Sequence, residues 1–313
     1  MRAIGVNEFG GPDKLEVLDL PEPEAGPGEV RVRVQAATVN PTDTGLRSGA
    51  YGERPGDRPG PYVPGMDAAG VVDQVGPGVD RWQVGHRVMA IVLPTGPHGG
   101  AYADQVVVPQ ASVVRLPDGI DPAAGSTLLM NALTARLALD EMGLSAGQTV
   151  AVTGAAGAFG GYVVQLGVAD GLRVVADASE QDEELVRGLG AHEVVRRGDD
   201  VAERFRELAP DGVDGLADGS VQTEKLLPAI KDGGAMATIR GWDGPSERGI
   251  TVHPILVFGS AERTDLLEPL RDQAADGTLT LRVADVLPAE QAPEAHRRLE
   301  AGGVRGRLVL DFS

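Results

Sequence analysis

The chain contains no cysteine. That one absence excludes a disulfide framework, a thiolate nucleophile, a Cys-ligated zinc and an iron–sulfur cluster. No apolar run approaches the ~18 residues that a membrane-spanning helix needs. The opening MRAIGVNEFGG lacks the apolar core of a secretory signal, and the expectation is a cytoplasmic protein. Basic residues are few: 28 Lys and Arg stand against 46 Asp and Glu, giving a net charge of −18. A nucleic-acid backbone is bound by clustered cations, so no nucleic-acid partner is expected, and the charge serves solubility. Nearly all the basic residues are arginine, which beside abundant Ala and Gly reads as GC-rich coding bias. Five scattered histidines, His86, His98, His192, His253 and His296, show no pair at metal-ligand spacing, and no metal is expected.

What is present fits two domains in 313 residues. The first 120 or so residues have the texture of β-structure. Glu29–Ala36 alternates apolar and polar residues with the period of a half-buried strand. Val71–Val75, Arg87–Val92 and Gln105–Val108 are further strands, divided by Gly/Pro segments such as Pro55–Pro64. From Pro122 strands alternate with helices: a helix over Ala123–Met142, strands at Thr149–Thr153 and Arg173–Asp177, and a helix over Gln222–Ile230 before the strand Ala235–Ile239. That rhythm predicts a parallel sheet covered on both faces.

The most informative stretch is Thr149–Ser179. An apolar strand runs into a Gly/Ala-rich turn, then an amphipathic helix, then a second strand ending on Asp177. Small residues at Ala155, Gly157 and Gly160 let backbone N–H groups approach a pyrophosphate, and the helix N-terminus adds partial positive charge. An acid about 20 residues past the turn completes the dinucleotide-binding pattern.

A series of motifs extends this. VNPTDTGLRSGAYG (Val39–Gly52), PYVPGMDAAGVV (Pro61–Val72), VGHRVMA (Val84–Ala90), GGAYADQVVVP (Gly99–Pro109), NALTA (Asn131–Ala135), AGQTVAVTGAAGAFGGYVVQL (Ala146–Leu166), LGA (Leu189–Ala191) and RGRLVL (Arg305–Leu310) follow in order. Together they resemble the medium-chain dehydrogenase/reductase superfamily, in its zinc-free quinone oxidoreductase-like branch, over essentially the whole chain. The resemblance implies an α/β fold: a GroES-like, β-rich catalytic domain (1–121, completed by 263–313) and a Rossmann doubly wound parallel-sheet domain (122–262). It implies a nicotinamide cofactor in the cleft between domains, a small-molecule quinone or enone substrate, and a homodimer joined at the edge strand Thr251–Phe258. Where zinc-dependent relatives carry Gly-His-Glu, this chain has Gly65-Met66-Asp67, and Asp67 is expected to serve structure at a turn.

The resemblance assigns site residues by position. Asn40 and Tyr51 are the candidate catalytic pair. Asn40 would donate to a substrate oxygen or hold the ribose, and Tyr51 would act as proton donor or as pocket wall. Cofactor contacts fall to Gly154, Ala156, Gly157, Ala158 and Phe159 at the turn, Thr127 at the carboxamide (with helix capping as its alternative), and Ile239, Arg240 and Gly241 after a later strand. Arg307 occupies the position where relatives often have a Lys that reaches the cofactor, with pairing to a surface acid as its alternative. Cofactor choice turns on Asp177, Ala178 and Ser179. An acid at the strand tip would hold the ribose hydroxyls and favour NADH. The register to LGA instead matches relatives whose Ser binds the 2′-phosphate, which favours NADPH. A non-catalytic or redox-sensing NAD(P)H-binding protein of the same fold is the alternative to an enzyme.

Overall fold

The computed structural model describes residues 1–51, 61–245 and 247–313. The Gly52 end of the first motif and most of the Pro55–Pro64 segment lie outside them. The chain forms two units. Unit 1 comprises Met1–Met130, Phe258–Ala275 and Leu281–Ser313, and unit 2 comprises Asn131–Val257 and Asp276–Thr280.

The N-terminal part supplies β1 (Arg2–Gly5), β2 (Glu16–Asp19), β3 (Glu29–Thr38), helix α1 (Pro41–Ser48), β4 (Asp67–Val75), β5 (Arg87–Ile91), β6 (Gln105–Pro109) and β7 (Val113–Arg115). The first two strands form an antiparallel ribbon. β3 alternates as its sequence demands, with Val30, Val32 and Val34 buried and Arg33 exposed, until Ala36, Ala37 and Thr38 are all covered. Its first half pairs β6 and its whole length pairs β4.

Unit 2 is reached through short α2 (Pro122–Gly125) and α3 (Leu129–Met142). The expected single helix over Ala123–Met142 is thus broken around Thr127, where the Ser126 and Thr127 hydroxyls back-bond to the carbonyls of Ala123 and Ala124. There follow β8 (Thr149–Thr153), α4 (Ala158–Ala169), β9 (Arg173–Ala178), α5 (Glu183–Gly188), β10 (Glu193–Arg196), α6 (Val201–Leu208), β11 (Val213–Asp218), β12 (Ile230–Thr238) and β13 (Thr251–Pro254). All these strands run parallel in the order β10-β9-β8-β11-β12-β13, the doubly wound arrangement. Val150, Val152, Val174, Val175, Leu216 and Met236 make its apolar layer, buried on both faces as a parallel sheet requires. Helix α4 is not amphipathic: Phe159 through Gly167 are buried without a break, because its glycines and short side chains let neighbours close on every side. The Gln222–Ile230 segment is a 3-10 stretch over Thr223–Ala229 rather than an α-helix, and Pro228 within it cannot donate to a helical ladder.

The chain then returns through α7 (Thr264–Ala275), β14 (Val283–Pro288), α8 (Ala292–Ala301) and β15 (Arg307–Asp311). β15 pairs the second half of β3 antiparallel and β14 parallel, completing a seven-stranded sheet in unit 1.

Candidate active site

In unit 2 the candidate residues gather at the carboxyl ends of the parallel strands. β8 ends at Thr153, and Gly154 follows with φ of +66°, a left-handed conformation that favours glycine. A Cβ on Gly154 would stand 2.7 Å from the Gly219 backbone, and one on Gly160 would stand 2.5 Å from the Gly154 carbonyl oxygen. The turn is therefore compressed between α4 and the β11 loop, and only backbone fits there. Gly157 is the N-cap of α4 and offers no side chain to the first-turn N–H groups. A helix start without a side-chain cap beneath a glycine turn is the arrangement that binds phosphate. Ala156 is buried and Ala158 half-buried, while the Phe159 ring is buried against Gly219.

Asp177 lies at the end of β9 with its carboxylate fully buried. It accepts from the Ala155 N–H at 3.2 Å and from Arg197 Nε at 3.0 Å. Ala178 is buried beside it, and its carbonyl accepts from the Arg197 N–H at 2.8 Å. The half-buried Ser179 donates its hydroxyl to Asp182 Oδ2 at 2.6 Å. Arg197 escaped the sequence reading. Its signal was available in the Arg196-Arg197 pair after a short strand, once that strand is known to lie beside β9. After β12, Ile239 is half-buried, Arg240 is exposed with φ of +70°, and Gly241 follows at +79°. A positive φ at arginine costs on the order of 1 kcal/mol. Between these strands, buried Asp218 accepts from Thr153 Oγ1, Ser220 N–H and Thr223 N–H, which fixes the loop after β11.

The remaining candidates lie in unit 1, where a buried polar network ties α1 to the sheet. Asn40 is the α1 N-cap and is buried. Its Nδ2 donates to Asp67 Oδ2 at 2.9 Å, and its Oδ1 accepts from Arg307 Nη2 at 2.6 Å. Arg307 also donates to the Val39 carbonyl and stands 3.7 Å from Asp67. Its Nη1, equally buried, makes no hydrogen bond among the described residues. Asp67 is no turn residue. It opens β4 and takes the Met130 N–H at 2.8 Å as well. Burial pushes its carboxyl upward while Arg307, Asn40 and the Met130 N–H pull it back.

Beside this network stands a second one, absent from the sequence reading. Asp43, on α1, accepts from the Asn40 and Gly65 N–H groups and from the Tyr102 hydroxyl. Complete burial raises its carboxyl to about 7, with nearby Asp67 adding to the rise. The Tyr102 hydroxyl is also 3.2 Å from His296 Nε2, and burial pushes that imidazole down to about 3. Tyr51 is different in kind. It is about half exposed, and its ring covers Gly45, where a Cβ would come within 2.7 Å of it. Thr127 is buried, with its hydroxyl donated to the Ala124 carbonyl. Among the described residues there is no group of three or more His, Asp or Glu able to hold a metal ion, and no helix long and apolar enough to cross a membrane.

Comparison with known proteins agrees with this architecture. Residues 26–118 match the alcohol dehydrogenase GroES-like domain, and residues 189–310 match the zinc-binding dehydrogenase domain. The quinone oxidoreductase of Lama guanicoe is 30% identical, over 99% of this chain and 97% of that protein. A solved NAD-dependent alcohol dehydrogenase is 31% identical with a TM-score of 0.86, covering 99% of both chains. A mycobacterial protein solved in complex with NADPH is 29% identical with a TM-score of 0.88, covering 99% of this chain and 100% of that one. The turn after β8, the doubly wound sheet and the GroES-like first unit thus have one common explanation: the chain belongs to the medium-chain dehydrogenase/reductase superfamily, in its quinone oxidoreductase-like branch, and is an oxidoreductase.

Proposed function

We propose that the protein is a metal-independent, NADPH-dependent reductase that delivers a hydride to a quinone or to the β-carbon of an α,β-unsaturated carbonyl compound. The observation that carries the reading is the turn after β8, where Gly154 and Gly160 leave room for backbone alone and Gly157 gives the start of α4 no side-chain cap. A pyrophosphate fits those N–H groups. Bound there, the reduced nicotinamide would supply the hydride. The relatives named quinone oxidoreductase support the acceptor class. Metal independence rests on the ligand set, since the chain has no cysteine and has Met66 where zinc-dependent relatives carry histidine.

The protein's own residues would then bind, orient and stabilise. Gly154, Ala156, Gly157, Ala158 and Phe159 would hold the pyrophosphate, and Ala178 and Ser179 the adenosine ribose. The Ser179 hydroxyl would turn from Asp182 to meet a 2′-phosphate. Ile239, Arg240, Gly241 and Thr127 are assigned to the nicotinamide end. Arg307, with one buried N–H donor unspent, suits an anionic or carbonyl oxygen of the ligand. Asn40 has both ends of its amide engaged by Asp67 and Arg307, and we assign it a positioning role through Arg307. Tyr51, half exposed, is the residue of this unit best able to meet substrate, as wall or as proton donor to a developing enolate. We also infer a cytoplasmic homodimer joined through the open edge of β13, beside which Leu256 is exposed.

The test is direct. The purified protein is titrated with NADPH and with NADH while nicotinamide fluorescence is followed, and a panel of quinones and enones is then offered with the nucleotide that binds. Tight NADPH binding with turnover of either acceptor class supports the proposal. Binding without turnover of any acceptor identifies a nucleotide-binding protein, and binding of neither nucleotide removes the oxidoreductase site.

A further inference from the structure

The acids after β9 create a puzzle for an NADPH site. Asp177, Glu180, Asp182, Glu183 and Glu184 follow closely on one another around the Ser179 proposed to meet a 2′-phosphate, and the segment itself offers no cation before Arg187. The fold answers from the neighbouring strand. β10 pairs β9 in parallel with Val195 opposite Asp177 and Arg196 opposite Ala178, so the residue after β10 emerges at the same level as Ser179. That residue is Arg197. Its main-chain N–H locks onto the Ala178 carbonyl at 2.8 Å, and its guanidinium lies against Asp177 through Nε at 3.0 Å and Nη2 at 3.4 Å. The Asp177 carboxylate is wholly buried, whereas the Arg197 side chain is 36% exposed. Nη1 of this guanidinium is in no hydrogen bond among the described residues.

We infer that Arg197 is the residue that sets cofactor choice, and that it does so twice over. It caps and neutralises Asp177, so no bare carboxylate is left to accept the two ribose hydroxyls as an NADH site would require. Level with Ser179 on the neighbouring strand, it also keeps the Nη1 of a planar, permanently charged guanidinium unspent, which suits a phosphate dianion. Arg196 lies one residue back, exposed and held by Glu180 at 3.0 Å, so that pair removes one of the acids from the phosphate's surroundings. The inference rests on the dinucleotide site proposed above and names the residue that discriminates within it.

The test uses Arg197→Gln and Asp177→Asn in the full chain, with the unfolding temperature measured to confirm that each variant is folded. Dissociation constants for NADPH and NADH are read by fluorescence, and 2′,5′-ADP and 5′-AMP serve as competitors that report on the adenosine half without any turnover. Arg197→Gln is expected to weaken NADPH and 2′,5′-ADP by about tenfold or more, the scale of one charged contact, while NADH holds or tightens as Asp177 is uncovered. Asp177→Asn keeps an acceptor for the Ala155 N–H and releases the guanidinium, so NADPH is expected to hold or tighten. Equal losses for both nucleotides in Arg197→Gln, or no change in their ratio, would overturn the role of Arg197 and leave the site itself standing. A parent protein that binds neither nucleotide would overturn both, and a parent that prefers NADH would show Asp177 reaching the ribose past Arg197.

Discussion

Asp43 and His296 meet at one oxygen: the phenol of Tyr102 lies 3.2 Å from a carboxylate oxygen of the first and 3.2 Å from Nε2 of the second. All three side chains are buried, and burial drives the two titrating groups in opposite senses, Asp43 from 3.8 up to about 7 and His296 from 6.5 down to about 3. The folded protein thus keeps a proton on Asp43 that the unfolded chain gives up between pH 3.8 and 7. This contribution is full below 3.8 and is lost as pH rises through 7. The folded protein also refuses a proton on His296 that the unfolded chain takes below 6.5, a contribution present above 6.5 and lost as pH falls through 3. Between about 3.8 and 6.5 the two slopes cancel. Asp43→Asn should expose the histidine slope, with stability falling on acidification below 6.5 by up to ~1.4 kcal/mol per pH unit. His296→Gln should expose the opposite slope, with stability rising as pH falls from 7. Urea denaturation across this range reads both, and parallel curves for the two variants would sink the account.

The Asn40–Asp67–Arg307 network makes a different demand. Arg307→Met leaves Asp67 buried without its cation, and a loss of ~3–5 kcal/mol in unfolding free energy is expected. Adding Asp67→Asn should restore part of it. A single variant as stable as the parent in denaturant would show that the carboxylate is already neutral.

Gly160→Ala places a methyl group 2.5 Å from the Gly154 carbonyl oxygen. Backbone cannot yield cheaply there, so the turn must shift, with an expected loss in NADPH affinity of roughly tenfold or more. Fluorescence titration measures it, and unchanged affinity would mean the turn does not touch the nucleotide.

Tyr51→Phe separates the two roles left to that residue. If the phenol donates a proton, turnover should drop by about tenfold or more, equivalent to ~1.4 kcal/mol in the barrier, with little change in nucleotide affinity. Steady-state kinetics with quinone and enone acceptors decide it. Unchanged kcat leaves Tyr51 as wall.

The period-2 pattern of Glu29–Ala36 and the apolar strands around Thr149–Thr153 and Arg173–Asp177 were legible because each reflects local burial on one or two faces. Helix α1 was not. Its PTDTGLRS sequence has low intrinsic helix propensity and forms against Gly10, Glu300 and the sheet, through Arg47 among others. The dinucleotide turn was readable because backbone geometry dictates glycine and alanine at fixed spacing. Arg197 was not, because its proximity to Asp177 depends on strand order. The Asn40–Arg307 contact joins residues 267 positions apart, and no local pattern encodes it.

That separation has a consequence for how the chain folds. β3 lies in the interior of the unit 1 sheet, and on the side away from β4 its second half pairs β15, at the far end of the sequence. The strands of unit 2 fall within one continuous stretch, Asn131–Val257. During synthesis from the N-terminus, the parallel sheet can therefore consolidate while the antiparallel one still presents an unpaired flank along Ala36–Thr38. Closing so long a loop is slow, and the waiting strand is adhesive until it happens. Truncating only the last few residues would leave every dinucleotide contact proposed for unit 2 intact and still yield a chain prone to aggregate.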